Sequence, residues 1–168
     1  SQTLRDFADL KLVLSEGGIG WVPHFLERID RVMENHGPWT RQNFKGKRPS
    51  ELFRERMTSC FIVDQTGLRD RHQIGVETIT FEHAYPHSAV TWPESPEQLW
   101  RDFKDAGCTD EEIDMITYKN AIRALRCDPT AKMGHWKDCT VGALRAKATH
   151  VDVSLRRGAG GIPALPSR

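Results

Sequence analysis

Two hydrophobic periods share this chain. Lys11-Leu-Val-Leu-Ser15 is a short apolar run closed by Glu16-Gly-Gly-Ile-Gly20, which reads as a buried strand feeding a tight turn. Pro23 stands where a first helical turn tolerates its missing N–H. Val22, Phe25, Leu26, Ile29, Val32 and Met33 then recur at three- and four-residue spacing, predicting a helix with one apolar face that ends before Gly37-Pro38. Thr40 to Arg48 is polar and contains Gly, so it reads as a loop. Ser50 is placed to cap a short helix carrying Leu52, Phe53 and Met57. Ser59-Cys-Phe-Ile-Val63 predicts a second buried strand with Asp64 at its end, followed by a short helix over Leu68–Ile74. Thr78–Phe81 predicts a third strand. Ser95 then caps a helix over Pro96–Ala106, and Thr109 with Glu112 forms a capping box for Asp110–Leu125. Alternating strand and helix is the grammar of parallel βα units, so the fold class is α/β.

Beyond Asp128-Pro129 the pattern changes. From Thr149 to Arg156, Val151, Val153 and Leu155 alternate with His150, Asp152 and Ser154, which predicts a half-buried edge strand. Gly158 to Arg168 opens with closely spaced Gly and Pro and reads as a disordered tail. The organisation expected is a βα domain over 1–127, an extension over 128–157 packing on it, and a tail over 158–168.

Candidate chemistry gathers at the end of the third strand. Glu82, His83, Tyr85 and His87 follow Thr78–Phe81 directly, and a loop with Trp92 and Pro93 comes next. An apolar strand that ends in titratable side chains is how an α/β protein delivers chemistry to the carboxyl end of a sheet. Glu16 and Asp64 stand at the corresponding ends of the other two strands.

Composition narrows the field. The 168 residues suffice for one domain, and 24 basic against 23 acidic residues leave a formal net charge of +1. No global field therefore points to nucleic acid or an anionic membrane, and the basic residues of Arg41–Arg48 and Arg156–Arg157 read as local solvated loops. No apolar run approaches the ~18 residues that span a bilayer, and no signal peptide opens the chain. Cys60, Cys108, Cys127 and Cys139 lack CxxC spacing, which fits free thiols in a reducing, cytoplasmic setting. His135-x-x-x-Cys139 and His83-x-x-x-His87 could each supply two metal ligands, but neither has the second pair a structural zinc site needs.

Several ordered motifs carry a family resemblance. Glu16-Gly-Gly-Ile-Gly-Trp-Val-Pro23, Leu26-Glu-Arg-Ile-Asp30, Cys60-Phe-Ile-Val-Asp64, Tyr85-Pro-His-Ser88, Thr91-Trp-Pro-Glu-Ser95 and Cys139-Thr-Val-Gly-Ala-Leu-Arg145 occur in sequence. From Leu10 to about Ser154 the chain resembles the amidohydrolase-2 family, in the branch related to aminocarboxymuconate semialdehyde decarboxylase. The resemblance implies the C-terminal part of a (β/α)8 barrel, with the three strands standing as the sixth, seventh and eighth. It also implies hydrolase or carboxy-lyase ancestry and a small-molecule substrate.

Within that resemblance the metal ligands fall short. The family's His-x-His pair on the first strand and metal-binding His on the fifth have no counterpart here. Glu16 stands where many relatives place a catalytic His, and Ala84 where the family places a metal-binding Asp. A catalytic divalent metal needs about three protein ligands to bring the pKa of its water toward ~7. A methyl group neither ligates nor moves a proton. The expectation is therefore loss of ordinary metal-dependent hydrolysis, with no cofactor.

Glu16, Asp64, Glu82, His83 and His87 are the candidate catalytic set, with Trp21, Tyr85 and Trp92 as candidate substrate contacts. One reading gives the set acid–base work without metal in a common pocket. The other is structural: Glu16 caps the Gly-Gly turn, Asp64 caps the next helix, Glu82 bonds His83, His87 braces the Trp92 loop, and the aromatics pack. Three parallel strands also leave two open edges, which a homo-oligomeric partner, in the simplest case a dimer, or a complementary half-barrel subunit would cover. Three functions stay open: a metal-independent hydrolase, decarboxylase or cyclase; a non-catalytic small-molecule-binding or scaffold protein; and the C-terminal subunit of a split metal-dependent enzyme.

Overall fold

Three short strands lie parallel in the order β1-β2-β3: Leu12–Leu14, Met57–Phe61 and Ile79–Phe81. Leu12 pairs with Met57 and Leu14 with Ser59, while Ser59 pairs with Ile79 and Phe61 with Phe81. In this computed structural model residues 2–92, 94–147 and 149 are described. The chain divides into two compact units, Ser1–Arg126 and Cys127–Arg168, and the sheet belongs to the first.

Phe61 and Ile79 project from one face of the sheet into a core with Ile19, Val22, Leu26, Leu68, Ile74, Phe103 and Ile116. Each such fully buried side chain contributes about 1.5–3 kcal/mol. The first strand departs from expectation. It was expected to be buried, yet Leu12 and Val13 keep 40% and 46% of their surface. The reason is its place in the sheet, since among the described residues nothing pairs with its outer edge.

Helix boundaries shift where side chains find partners other than those the sequence suggests. Helix α1 is Gln2–Asp6, and α2 runs Val22–Thr40 straight through Gly37-Pro38. Pro38 falls in the last turn, where its missing N–H costs one bond only, and Thr40 Oγ1 donates to the His36 carbonyl at 2.8 Å. Gly37 lets the Met33 side chain pass, because a Cβ there would lie 2.8 Å from Met33 Cε. The next helix, α3, is Pro49–Arg56, with Arg48 at its cap position and the Glu51 carboxylate accepting from Arg48 N at 2.6 Å. Ser50 does not cap it. Its backbone N–H and hydroxyl donate instead to Asp30 on α2, at 2.9 and 2.7 Å. Met57 leaves the helix to open β2, and Ile62 and Val63 fall beyond that strand because β3, its pairing partner, ends at Phe81.

The segment expected as one helix over Leu68–Ile74 is α4 (Gln65–Arg69) and α5 (Arg71–Ile74), broken at Asp70. Arg71 explains the break. Its guanidinium lies inside, bonded to the carbonyls of Leu68, Ala106 and Gly107 and to both Glu112 oxygens at 2.9–3.1 Å. Thr78 belongs to a tight turn before β3, its hydroxyl donating to the Gly75 carbonyl. Helix α6 is Ser95–Asp105, with Ser95 inside it and Glu94 before it. The Thr109–Glu112 capping box forms as expected and opens α7, Asp110–Asp114. A π-helical turn over Met115–Lys119 joins α7 to α8, Asn120–Leu125. Asn120 is buried and donates to the carbonyls of Val76 and Ile79 at 2.8 Å each, as a loop brace rather than a ligand group.

In the second unit α9 is Pro129–Met133, capped by Asp128, and α10 is Thr140–Lys147. The strand expected over Thr149–Arg156 lies outside the described residues apart from Thr149, and so does the tail from Gly158. No described helix is long and apolar enough to cross a membrane.

The Arg71–Glu112 pair carries a pH signature. Burial pulls the Glu112 carboxyl up, but the Arg71 hydrogen bond, the Thr109 N–H and nearby positive charge hold it below its ordinary value on balance. A depressed folded-state pKa stabilises above the unfolded carboxylate value of ~4.3 and is lost as pH falls through the folded one. Glu112→Gln leaves Arg71 buried without its counter-charge and is expected to cost ~3 kcal/mol at neutral pH. Urea denaturation from pH 7 downward should show the gap between variant and parent closing only below the mid-4 range.

Candidate functional site at the strand carboxyl ends

All three strands deliver polar side chains to the same end of the sheet. Ser15 and Glu16 follow β1, Asp64 closes the turn after β2, and Glu82 and His83 follow β3. The Glu82 carboxylate reaches back over the end of β2 to β1, accepting from Ser15 Oγ at 2.5 Å and from the Glu16 backbone N–H. Glu82 is not bonded to His83, as the structural reading expected, because the alternation of the strand turns it toward Ser15 instead.

Asp64, rather than Glu16, holds the Gly-Gly turn. One of its oxygens accepts from the N–H groups of Ile19 and Gly20, each at 2.7 Å, and the other from Gly67 at 2.8 Å. It therefore caps α4, as expected, and also ties the β1 turn to it. Contact there is close enough to require glycine. A Cβ on Gly67 would come within 2.2 Å of Ile19 Cγ1, and one on Gly20 within 2.9 Å of Asp64 Oδ1. Glu16, displaced from that role, is exposed at φ 59°, in the left-handed region that favours glycine. Its carboxylate has no hydrogen-bond or ion-pair partner among the described residues.

His83 takes partners that sequence reasoning missed. Its Nε2 lies 2.8 Å from Ser95 Oγ, and Thr91 Oγ1 donates to the same hydroxyl at 3.0 Å. With Thr91 donating, Ser95 can direct its own proton to Nε2, leaving Nδ1 as the proton-bearing nitrogen. Ser95 read as a helix cap, which hid this role. Ser15 carried no signal beyond its place at a strand end.

The remaining candidates lie farther out. Tyr85 and Trp92 are mostly exposed, with ring centroids 5.2 Å apart. His87 stays within its own turn, its Nδ1 accepting from Ala89 N at 3.2 Å and its N–H donating to the Ala84 carbonyl. The Trp21 indole donates to the carbonyls of Gly17 and Gly18 and sets its ring edge-on to Phe25. It lines a cavity of about 660 Å³ on the flank of α2 that includes none of the other candidate site residues. Cys60 Sγ contacts Thr80 Oγ1 at 2.9 Å within the sheet, and burial pushes its thiol up, away from nucleophilic use.

The donor set does not suit a catalytic metal. No group of three or more His, Cys, Asp or Glu side chains converges among the described residues. The Asp64 oxygens are taken by backbone N–H groups, Glu82 by Ser15 and Glu16, and Ala84 offers nothing.

A three-stranded parallel sheet with acid and imidazole side chains just past its strand carboxyl ends defines a partial α/β fold with its candidate chemistry at one end. The amidohydrolase family matches residues 1–127, and the chain belongs to that family. In structure it is similar to 5-carboxyvanillate decarboxylase LigW from Sphingomonas paucimobilis, at 23% identity and TM-score 0.58, over 75% of this chain and 36% of that one. It is similar also to amidohydrolase map2389c from Mycobacterium avium subsp. paratuberculosis K-10, at 22% identity and TM-score 0.59, over 73% of this chain and 30% of that one. This chain thus spans about a third of the length of either, as a part of their larger fold. No curated protein sequence matches it.

Asp64→Ala removes the acceptor for three backbone N–H groups. It is expected to cost ~3 kcal/mol in chemical denaturation. Glu16→Gly should instead gain up to ~1 kcal/mol by releasing the left-handed backbone.

Proposed function

We propose that this amidohydrolase-family chain acts on a small carboxylated or cyclic organic molecule at the strand carboxyl ends, by acid–base chemistry that needs no metal. Glu82 and His83 are the proton-handling pair in this reading. Ser15 and the Glu16 N–H hold the carboxylate, while Ser95 and Thr91 hold the imidazole. Tyr85 and Trp92 offer an aromatic surface to a ring beside them. Asp64 keeps the turn in place, and His87 shapes the loop.

The observation that carries the reading is Glu16. A glutamate kept where glycine would sit without strain, its backbone N–H bound to Glu82 and its carboxylate unpartnered among the described residues, is favoured by use rather than by stability. The LigW likeness supplies the first substrate to try. The test follows carbon dioxide release from 5-carboxyvanillate and other aromatic carboxylates, and hydrolysis of cyclic amides and lactones, with and without chelator. Turnover that survives chelation, and falls at least ~100-fold in Glu82→Gln and in His83→Ala while both still unfold cooperatively, would support the proposal. Stoichiometric zinc or manganese in the active protein would overturn its metal-free part.

Self-association belongs to the same reading. Among the described residues β1 and β3 each have one unpaired edge, and open edges are covered in stable proteins.

A further inference from the structure

His83 stands just past β3, and the loop that follows folds back to bring Ser95, the first residue of α6, against its ring. Ser95 Oγ lies 2.8 Å from His83 Nε2 and 3.0 Å from Thr91 Oγ1, with no other side-chain partner among the described residues. Ser95 is buried, so water does not stand in for a missing partner. A hydroxyl has one proton to give, and burying it without an acceptor costs stability. Thr91 donates to this oxygen, which leaves the Ser95 proton a single acceptor in reach, His83 Nε2. An imidazole that accepts at Nε2 carries its own proton at Nδ1.

That Nδ1–H is left for something outside the chain. No described residue bonds to Nδ1, and it is not among the side-chain nitrogens shut away from solvent without a partner. We propose that Thr91 and Ser95 are positioning residues that hold His83 in its Nδ1–H form, so that the imidazole meets its ligand as a hydrogen-bond donor. The group it takes is an oxygen acceptor, a carboxylate or a carbonyl. A ligand that can only donate finds no acceptor at this ring. The ligand part rests on the proposed function and divides its labour. Both Glu82 oxygens accept hydrogen bonds, so Glu82 is the acceptor of the pair and His83 the donor.

A hydroxyl held against an imidazole is also how a serine nucleophile meets its base. Two observations oppose that use. Ser95 is buried away from any reacting carbonyl, and its oxygen accepts from Thr91, which engages an electron pair that would attack. The chain of contacts from Thr91 through Ser95 to His83 orients the ring instead, as the partner of one imidazole nitrogen sets the state of the other.

Ring-nitrogen NMR on the full, isotope-labelled chain in mildly alkaline buffer, where imidazoles are neutral, reads the tautomer directly, with His83→Ala assigning the signal. The expected parent spectrum has a protonated Nδ1 and a bare Nε2 at His83. Ser95→Ala should lose that state to a mixture or to Nε2–H. Thr91→Val should shift it in part, and Thr91→Ser should restore it. The Thr91 variants decide the matter even if Ser95→Ala fails to fold. A parent ring protonated at Nε2, or a tautomer indifferent to both positions, would overturn the positioning role. Benzoate, as the simplest aromatic carboxylate, probes the ligand part. It should shift the Nδ1 signal and bind at least tenfold more weakly to Ser95→Ala. An Nδ1 signal unmoved at the highest soluble benzoate concentration would overturn that part. A fluorophosphonate adduct on Ser95 would make it the nucleophile and overturn the whole. None of these readouts needs turnover, so a chain inert toward every substrate would count against the proposed function and leave the tautomer standing.

Discussion

The two oxygens of Asp64 tie together turns that lie more than forty residues apart in the sequence. They accept three backbone N–H groups, two from the turn after β1 and one from the first turn of α4. Parallel strands cannot be joined by a tight hairpin, so their carboxyl ends depend on such contacts between loops. Asp64 fixes the path from Gly18 to Gly20, and with it the start of α2 and the position of Ile19 in the core. Polar side chains can then be placed at the strand ends without each loop having to be stable alone. The close approach that this demands is met by Gly20 and Gly67, where a Cβ would collide with its neighbours.

The fold was legible where one physical signal dominated. Apolar runs located all three strands, and the Thr109–Glu112 box fixed a helix start because its two bonds are local. What escaped were long-range polar contacts. Ser50 and Ser95 look like caps in sequence, and each instead serves a distant partner, Asp30 in one case and His83 in the other. Arg71 looks like an ordinary helix-surface residue, yet it lies buried against carbonyls that only the folded chain brings near. The exposure of β1 escaped for a different reason. Hydrophobicity reports that a strand has something to bury, not whether anything lies beside it.

The candidate site was legible in part. Strand ends pointed to Glu16, Asp64, Glu82 and His83 as neighbours, since parallel strands share one carboxyl end. Their partners were not, because a carboxylate between two strands can turn to either. Family membership adds ancestry to this picture, and structural likeness at 22–23% identity adds the fold. Neither assigns a role to any one residue. What this chain holds at its strand ends is Glu16, Asp64, Glu82 and His83.

One contact links the candidate acid to the architecture. Glu82 follows β3, but the groups it accepts from lie just past the end of β1, on the far side of the central strand. It is a clasp between the ends of the two outer strands. A carboxylate that turns away to meet a substrate, or that gains a proton and loses an acceptor, lets go of Ser15 and Glu16 in the same act. Occupancy at one margin of the sheet is thereby felt at the other. An acid placed in this way cannot work without the opposite strand registering that it has done so.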